Sequence, residues 1–477
     1  MKRKNKVRKE DNMETRPNFL LFFSDQHRGD WMPYPADVKR QMGVEKLDLK
    51  MPAIRSLMDR GVCFTCGVSP APVCAPARAC LASGRRYRNC RVYQNNVNYD
   101  PALPSFYGLL QKSGYYVTGA GKFDLNKGDL DWGNGFHDTL RRMGFSDALD
   151  SEGKMDAVWA VLMNEPGPYG KMLEQHGCLK AYVEDMLHRG RGTDPAPVPP
   201  ECYADNWIGQ EGRDLIARLP QDSPWFLQLN FSGPHDPWDV TEEMHAAVQA
   251  RSFPAGAGCP EEERAHNLAV RKNYAAMIEN IDSQIGRCLE ALQARGMLEN
   301  TIVIYAADHG ELMGDHGLYG KSRPEQGAIH IPLVIDASRW NGKQGLCLHT
   351  PVELQDLAAT FLDYAGVAVP ENWESCSLRP LVEGTVGSVR PFAVSELITR
   401  PRKGPLASFG CVTDGEWKLI LRPGEEDRLY HLTEDPFEQK DLARYFPGQV
   451  ERLRQGFDDR GGRKHPALLQ YTQAFHN

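Results

Sequence analysis

The stretch Asn18-Phe19-Leu20-Leu21-Phe22-Phe23-Ser24-Asp25-Gln26 and its counterpart Thr301-Ile302-Val303-Ile304-Tyr305-Ala306-Ala307-Asp308-His309 decide how this chain reads. Each is a short apolar run that stops on an acid followed by a side chain with a lone pair to offer. Similar runs stand at 62–68, 115–119 and 224–231, and helical patterns at 52–60 and 106–112 alternate with them. Further on, Tyr274, Met277, Ile278, Ile281, Ile285, Cys288, Leu289 and Leu292 recur at helical spacing and mark one apolar face for packing on a sheet. Strands alternating with helices predict an α/β fold with a large, mainly parallel sheet sandwiched by helices.

Open sheets of this kind bind ligands beyond the carboxyl ends of their strands. Asp25 with Gln26 and Asp308 with His309 fall at such ends, and two acid-led pairs can converge on one divalent cation. Oxygen donors suit Ca²⁺ or Mg²⁺, and the imidazole admits Mn²⁺. Either pair alone reads more readily as a turn or a helix cap than as a ligand. A third cluster is Cys74-Ala75-Pro76-Ala77-Arg78, followed by Ser83-Gly84-Arg85. Cys74 would open a helix whose free N–H groups favour an anion, and Arg78, one turn on, can face the same spot. An inert cysteine ahead of a capped helix is the competing reading.

The 477 residues suit two or three domains, or one large domain with an appendage, at about 100–200 residues per domain. An apolar fraction of 41% with 25% charged residues is that of a globular chain able to bury a core. The net charge of −7 gives no sign of a nucleic-acid or membrane-surface partner, so an anionic substrate must be attracted locally. No apolar run approaches the roughly 20 residues of a membrane span. Residues 1–16 read as a basic flexible tail, with no apolar segment or cleavage site to make Lys2, Arg3, Lys4, Lys6, Arg8 and Lys9 an export signal. The twelve irregularly placed cysteines read as reduced thiols of a cytoplasmic protein, with Cys63 and Cys66 inside a buried strand rather than in a zinc or redox pair.

A later helix is expected to start with Thr350 as N-cap, Pro351 at its first position and Glu353 closing a capping box, and to end near Gly366. Strands at 417–421 and 428–432 flank a Pro-Gly turn. Residues 386–477 therefore read as a small C-terminal domain on an antiparallel sheet, and 17–385 as the catalytic domain. Rich in Gly, Pro and charge, 140–203 reads as an insertion of short helices at the pocket's mouth.

Cys74-x-Pro76-x-Arg78 followed by Ser83-Gly84-Arg85 resembles the signature of type I sulfatases, members of the alkaline phosphatase superfamily whose cysteine is converted to formylglycine. The resemblance runs from about residue 17 to 445. Gly114-Tyr115-Tyr116-Val117-Thr118-Gly119-Ala120-Gly121-Lys122 is similar to the second sulfatase signature, and Pro234-His235-Asp236-Pro237-Trp238 to the family's histidine loop. Gly320-Lys321 resembles the lysine after the second metal pair. Asp414-Gly415-Glu416-Trp417-Lys418-Leu419 and Leu429-Tyr430-His431-Leu432 resemble its small domain.

The resemblance implies sulfate-ester hydrolysis through a formylglycine at residue 74. One divalent cation, Ca²⁺ first with Mn²⁺ or Mg²⁺ as alternatives, would be held by Asp25, Gln26, Asp308, His309 and residue 74 itself. Arg78 would orient residue 74, Lys122 and Lys321 would neutralise the sulfate oxygens, and His235 would protonate the leaving alcohol, with His316 structural. The partners implied are a small anionic sulfate ester, a sulfated sugar among the candidates, and a formylglycine-generating maturation enzyme. No nucleic acid or membrane is expected, and a homo-oligomer is left open.

Three departures bear on the substrate. Asp124 stands where sulfatases usually carry a histidine two residues after the lysine. The segment 322–333 lacks the usual Tyr-Glu pair. The pairs Asp-Gln and Asp-His resemble choline sulfatases and phosphonate monoester hydrolases, so a phosphonate monoester or phosphodiester hydrolase using the same site is the alternative. A non-enzymatic anion binder with unmodified Cys74 is the remaining reading.

Overall fold

In the computed structural model, which describes residues 16–398 and 408–460, strand β1 (Asn18–Asp25) is buried along its whole length. Its side chains alternate between two cores: Phe19, Leu21 and Phe23 enter one, Leu20 and Phe22 the other. A strand with apolar groups on both faces needs cover on both faces, which explains the unbroken apolar run. Helices Cys74–Ser83, Phe106–Lys112 and Asp356–Tyr364 cover the first face, and Pro52–Arg60, Ala204–Arg218 and Arg264–Ala294 the second. Of the expected face of the last helix, all but the partly buried Leu289 lie in the core. The basic tail expected over 1–16 lies, apart from Arg16, outside the described residues.

The main sheet is completed by β2 (Val62–Val68), β3 (Tyr116–Gly121), β4 (Leu149–Asp150), β5 (Trp225–Pro234), β6 (Thr301–Ala307), β7 (His330–Asp336), β8 (Leu346–Leu348) and β9 (Val352–Glu353). Its order is β4-β3-β5-β1-β6-β7-β2-β8, with β9 also paired to β2. Among the described strands of this sheet only β7 is antiparallel to its neighbours, so the sheet is mainly parallel as expected. The insertion forms helices Lys154–Leu162, Pro168–Gln175 and Leu179–Arg189, and it also supplies β4 at the sheet edge, which periodicity over two residues could not reveal. Cys63 and Cys66 are both buried in β2 as expected, with the Cys63 thiol on Cys347 and burial pushing Cys66 up to about 12.

A second, four-stranded antiparallel sheet follows in chain order: β10 (Ala393–Leu397), β11 (Phe409–Thr413), β12 (Trp417–Leu421) and β13 (Arg428–His431). Helix Pro447–Asp459 packs on one face over Val394, Val412, Leu419 and Leu429. On the other face, Ala393, Leu397 and Cys411 merge with the main core. Gly424 adopts φ +79° in the Pro-Gly turn between β12 and β13, a conformation glycine reaches without strain.

The capping box expected at Thr350 does not form. Residues 352–353 extend the sheet as β9, and the helix begins only at Asp356. Thr350 Oγ1 bonds Ser388 Oγ at 3.3 Å. Glu353 is the counter-ion of buried Arg390 and of Arg460, and its carboxylate also accepts the Val394 N–H at 2.8 Å. Burial alone would raise the Glu353 carboxyl, but Arg390, Arg460 and Arg86 bring it down to about 2. A local cap thus loses to a tertiary ion cluster joining the two sheets. Glu353→Ala, which leaves Arg390 buried beside Asp356 alone, is expected to cost about 3–5 kcal/mol in urea unfolding; a loss below about 1 kcal/mol would contradict this role.

Candidate active site

Four neighbouring strands run out along one edge of the main sheet, and each delivers polar groups there. Lys122 follows β3, His235 follows β5, Asp25 ends β1, and Asp308 follows β6. Register places them together: Ser24 pairs with Ala307, Asp25 with Pro234, and Gly121 with Asn230. Gln26 then turns the chain away at φ +68°. Cys74 arrives from β2 through a short loop and opens the ten-residue helix Cys74–Ser83, every residue of which is buried. Pro76 is tolerated there because the first turn has no N–H partner to lose.

The thiol of Cys74 is the meeting point. Its Sγ lies 2.8 Å from Lys321 Nζ, 3.3 Å from His309 Nε2, 3.6 Å from Asp25 Oδ1 and 3.7 Å from Lys122 Nζ. Arg78 clamps the two acids, with Nε 2.9 Å from Asp308 Oδ2 and Nη2 3.3 Å from Asp25 Oδ2, and it also donates to the Lys122 carbonyl. Lys122 pairs with the same Asp25 oxygen. Lys321 Nζ lies 2.7 Å from His235 Nε2. Side chains of Asp25, Asp308, Arg78 and Lys122 are at most 3% exposed, whereas Lys321 retains 16% and His235 24%, so the site opens on the Lys321–His235 side.

Burial by itself pushes the Asp25 carboxyl up, but Lys122, His235, Lys321 and Arg78 hold it well below the usual carboxylate range. Burial and Asp25 likewise oppose ionisation of Cys74, yet Lys122, Lys321 and His309 outweigh them and keep the thiol well below its ordinary value. An oxyanion placed at residue 74 would meet the same cations. Asp124, the departure from the sulfatase pattern, is neutralised in place: its Oδ2 lies 3.3 Å from Lys122 and 3.2 Å from Lys127, and against burial these bring it to about 2.

Asp25, Cys74, Asp308 and His309 each present one ligand atom, all within 4.8 Å of one another. His309 Nδ1 bonds its neighbour Gly310 O at 3.0 Å, which directs the Nε2 lone pair at the cluster. Gln26 stands at the border of this set: its amide nitrogen donates to Asp236 Oδ1 at 3.0 Å and to Glu311, while its buried Oε1 has no hydrogen-bond partner among the described residues. This donor set fits a divalent cation. His316 stays out of the cluster, in the turn Asp315–Gly317, where its backbone N–H bonds Ala257 O at 2.6 Å.

Sequence reading missed an outer ring of charge. Lys127 joins Asp124 to Asp156 at 2.6 Å, Glu311 holds the Gln26 amide, and Lys154 grips the loop carrying His235. Glu311 stands three residues after Asp308 in an already suspect stretch, and Lys127 three after Asp124; Lys154 has no such local marker.

A family model described as Sulfatase matches residues 17–367, and one described as N-sulphoglucosamine sulphohydrolase, C-terminal, matches residues 314–457. The choline-sulfatase of Rhizobium meliloti is 26% identical over 470 residues, covering 92% of this chain and 84% of that protein. The crystal structure of the phosphonate monoester hydrolase of Agrobacterium radiobacter superposes with a TM-score of 0.74 at 22% identity, over 97% of this chain and 96% of that one. A further solved structure, holding its substrate D-glucosamine-2-N,6-O-disulfate, superposes with a TM-score of 0.72 at 18% identity, over 93% of this chain and 97% of that one.

Asp25→Ala and Asp308→Ala each remove a charge and a ligand together, and each is expected to lose bound divalent cation, measured by elemental analysis of the purified protein. Undiminished metal in both variants would sink this assignment of the cluster.

Proposed function

We propose, for a chain that belongs to the sulfatase family of the alkaline phosphatase superfamily, that it hydrolyses a small sulfate ester through a formylglycine made from Cys74. The observation that carries this reading is one buried Cys74 set between an acid–imidazole cluster and the ammonium groups of Lys122 and Lys321.

Asp25, Gln26, Asp308 and His309 would hold the cation, together with the group at residue 74. When bound, a divalent cation supplies Lewis-acid polarisation and lowers the pKa of a hydroxyl beside it. A formylglycine at residue 74 would supply, once hydrated, two hydroxyls on one carbon, one to serve as the nucleophile at sulfur and one whose loss of a proton would give back the carbonyl as sulfate is expelled. The chain's own cations do the electrostatic work. Arg78 fixes both carboxylates, buried Lys122 faces the non-bridging oxygens from inside, and Lys321 faces them from the open side. Asp124, already paired with two lysines, does not repel the anion.

His235 is the general acid. Asp236, whose Oδ1 lies 3.2 Å from Nδ1, and Asp25 raise the imidazole above its usual value against burial and Lys321. When sulfate takes over the N–H groups of Lys321, His235 Nε2 loses the donor it accepts from, and the imidazole, whose affinity for a proton Asp236 and Asp25 raise, takes up at Nε2 the proton that it passes to the departing alkoxide.

A second reading, cleavage of phosphonate monoesters or phosphodiesters, is favoured by the Gln26 and His309 ligands. Both ester types present one negative charge to the same cations, so charge balance alone does not separate them. The same proposal takes 17–385 as the catalytic unit and 386–477 as the C-terminal one, with a maturation enzyme acting on Cys74. It puts the protein in the cytoplasm, on the ground that all twelve cysteines are free thiols. Among the described residues no helix is long and apolar enough to cross a membrane. A sulfated sugar is a fitting substrate, given the relative solved with a glucosamine disulfate.

Protein made alongside a formylglycine-generating enzyme is expected to carry an aldehyde at residue 74 by peptide mass spectrometry, and Cys74→Ala to lose turnover while keeping its melting behaviour; full activity with only unmodified thiol refutes the mechanism. His235→Ala should slow esters of poor leaving groups by about 10²–10⁴-fold and activated aryl esters far less, because a stable leaving anion needs no proton. Paired aryl sulfate and aryl phosphonate substrates should show the sulfate cleaved with the higher kcat/KM, and the reverse order would favour the second reading.

A further inference from the structure

The helix Lys154–Leu162 of the insertion opens on a side chain that faces inward. Lys154, the first residue of helix Lys154–Leu162, has a side chain only 1% exposed, which is rare for an ammonium group. Its Nζ lies 3.0 Å from the His235 carbonyl, 3.2 Å from the Pro237 carbonyl and 2.6 Å from Asp239 Oδ1. An ammonium has three N–H donors, and all are spent on the five residues from 235 to 239. The two carbonyls belong to the histidine loop itself, so the grip bears on the backbone from which the His235 imidazole projects.

The anchorage of Lys154 is rigid on its own side. Tyr182 donates its hydroxyl to the Lys154 carbonyl at 3.0 Å, and Tyr203 donates to the Asp239 carbonyl at 3.1 Å. Just before it, Gly153 packs so tightly on Lys122 that an added Cβ would come within 2.9 Å of Cε, and two residues after it Asp156 pairs with Lys127. Residues 153–156 therefore touch both sides of the site, the lysine after β3 and the histidine after β5.

We propose that Lys154 is a positioning residue for His235: it fixes the loop so that Nε2 stays within proton-transfer reach of the leaving oxygen. The inference rests on His235 being the general acid. It makes the insertion part of the catalytic apparatus without contact to substrate. A displacement of about 1 Å at a catalytic group costs up to about 10²-fold in rate, so losing this grip should be visible where proton donation matters.

The test compares Lys154→Met with wild type and His235→Ala on two substrates, a 4-nitrophenyl sulfate and an alkyl sulfate. The ratio of the two rates is independent of the amount of folded protein, which keeps the result readable if Lys154→Met is less stable. Lys154→Met is expected to lose about 10- to 100-fold more on the alkyl ester than on the aryl ester, and Lys154→Arg, which keeps charge and donors, to restore most of the ratio. In the His235→Ala background, Lys154→Met should change the ratio no further, since both act through one group. A selective His235→Ala with an unselective or additive Lys154→Met overturns the inference alone. An unselective His235→Ala overturns the general-acid assignment and this inference with it.

Discussion

The carboxylate of Asp25 is the constraint around which the rest of the structure is arranged. It ends β1 with no solvent exposure and carries full charge, a state that water would stabilise and a protein interior penalises heavily. It is tolerated because Arg78 and Lys122 reach it from a helix and from the end of β3, while Arg78 also binds Asp308 beyond β6. These contacts hold three strand ends and one helix to a common point. The parallel sheet supplies the spacing, since neighbouring strands of one direction release their last residues side by side.

Charge alternates outward from that point. Lys122 meets Asp124, Asp124 meets Lys127, and Lys127 meets Asp156, so no described member of this chain is left beside only its own sign. Asp124, at the position where the sequence departs from the sulfatase pattern, is thus paired with a second lysine that is itself paired with Asp156. Lys154 and Asp239 form a separate buried pair on the far side. Residues 140–203 are thus tied to the site at two points, through Asp156 and through Lys154.

The C-terminal sheet also reaches toward the site through buried polar groups. Lys418 of β12 pairs with Glu438, and the Glu438 carboxylate accepts the N–H of Gln326 at 2.6 Å. Arg422 lies 3.5 Å from Glu325. Both contacts fall on the segment that follows Lys321, and Ser322 is tied to Pro72 O at 3.0 Å, just ahead of Cys74. The sequence 322–333, without the usual Tyr-Glu pair, is therefore held by the appended sheet. Lys321 projects from a segment braced on two sides.

What the sequence by itself determined is the main strands and the residues that gather at their ends. Apolar runs fixed β1, β2 and β6 within a residue or so, because a strand covered on both faces admits few polar side chains. Spaced motifs found Asp25, Gln26, Cys74, Arg78, Lys122, His235, Asp308, His309 and Lys321, which the fold brings to one place or, for the Gln26 side chain, to its border. Tertiary structure alone decided the rest. Glu353 left its expected helix cap because two distant arginines needed its charge. Lys154, 81 positions from His235, gripped its loop because a crossover folded back over the sheet edge. Periodicity and local motifs record preferences between near neighbours in the chain. Which distant charges share a buried point is set by closure of the whole sheet, and no local pattern carries that information.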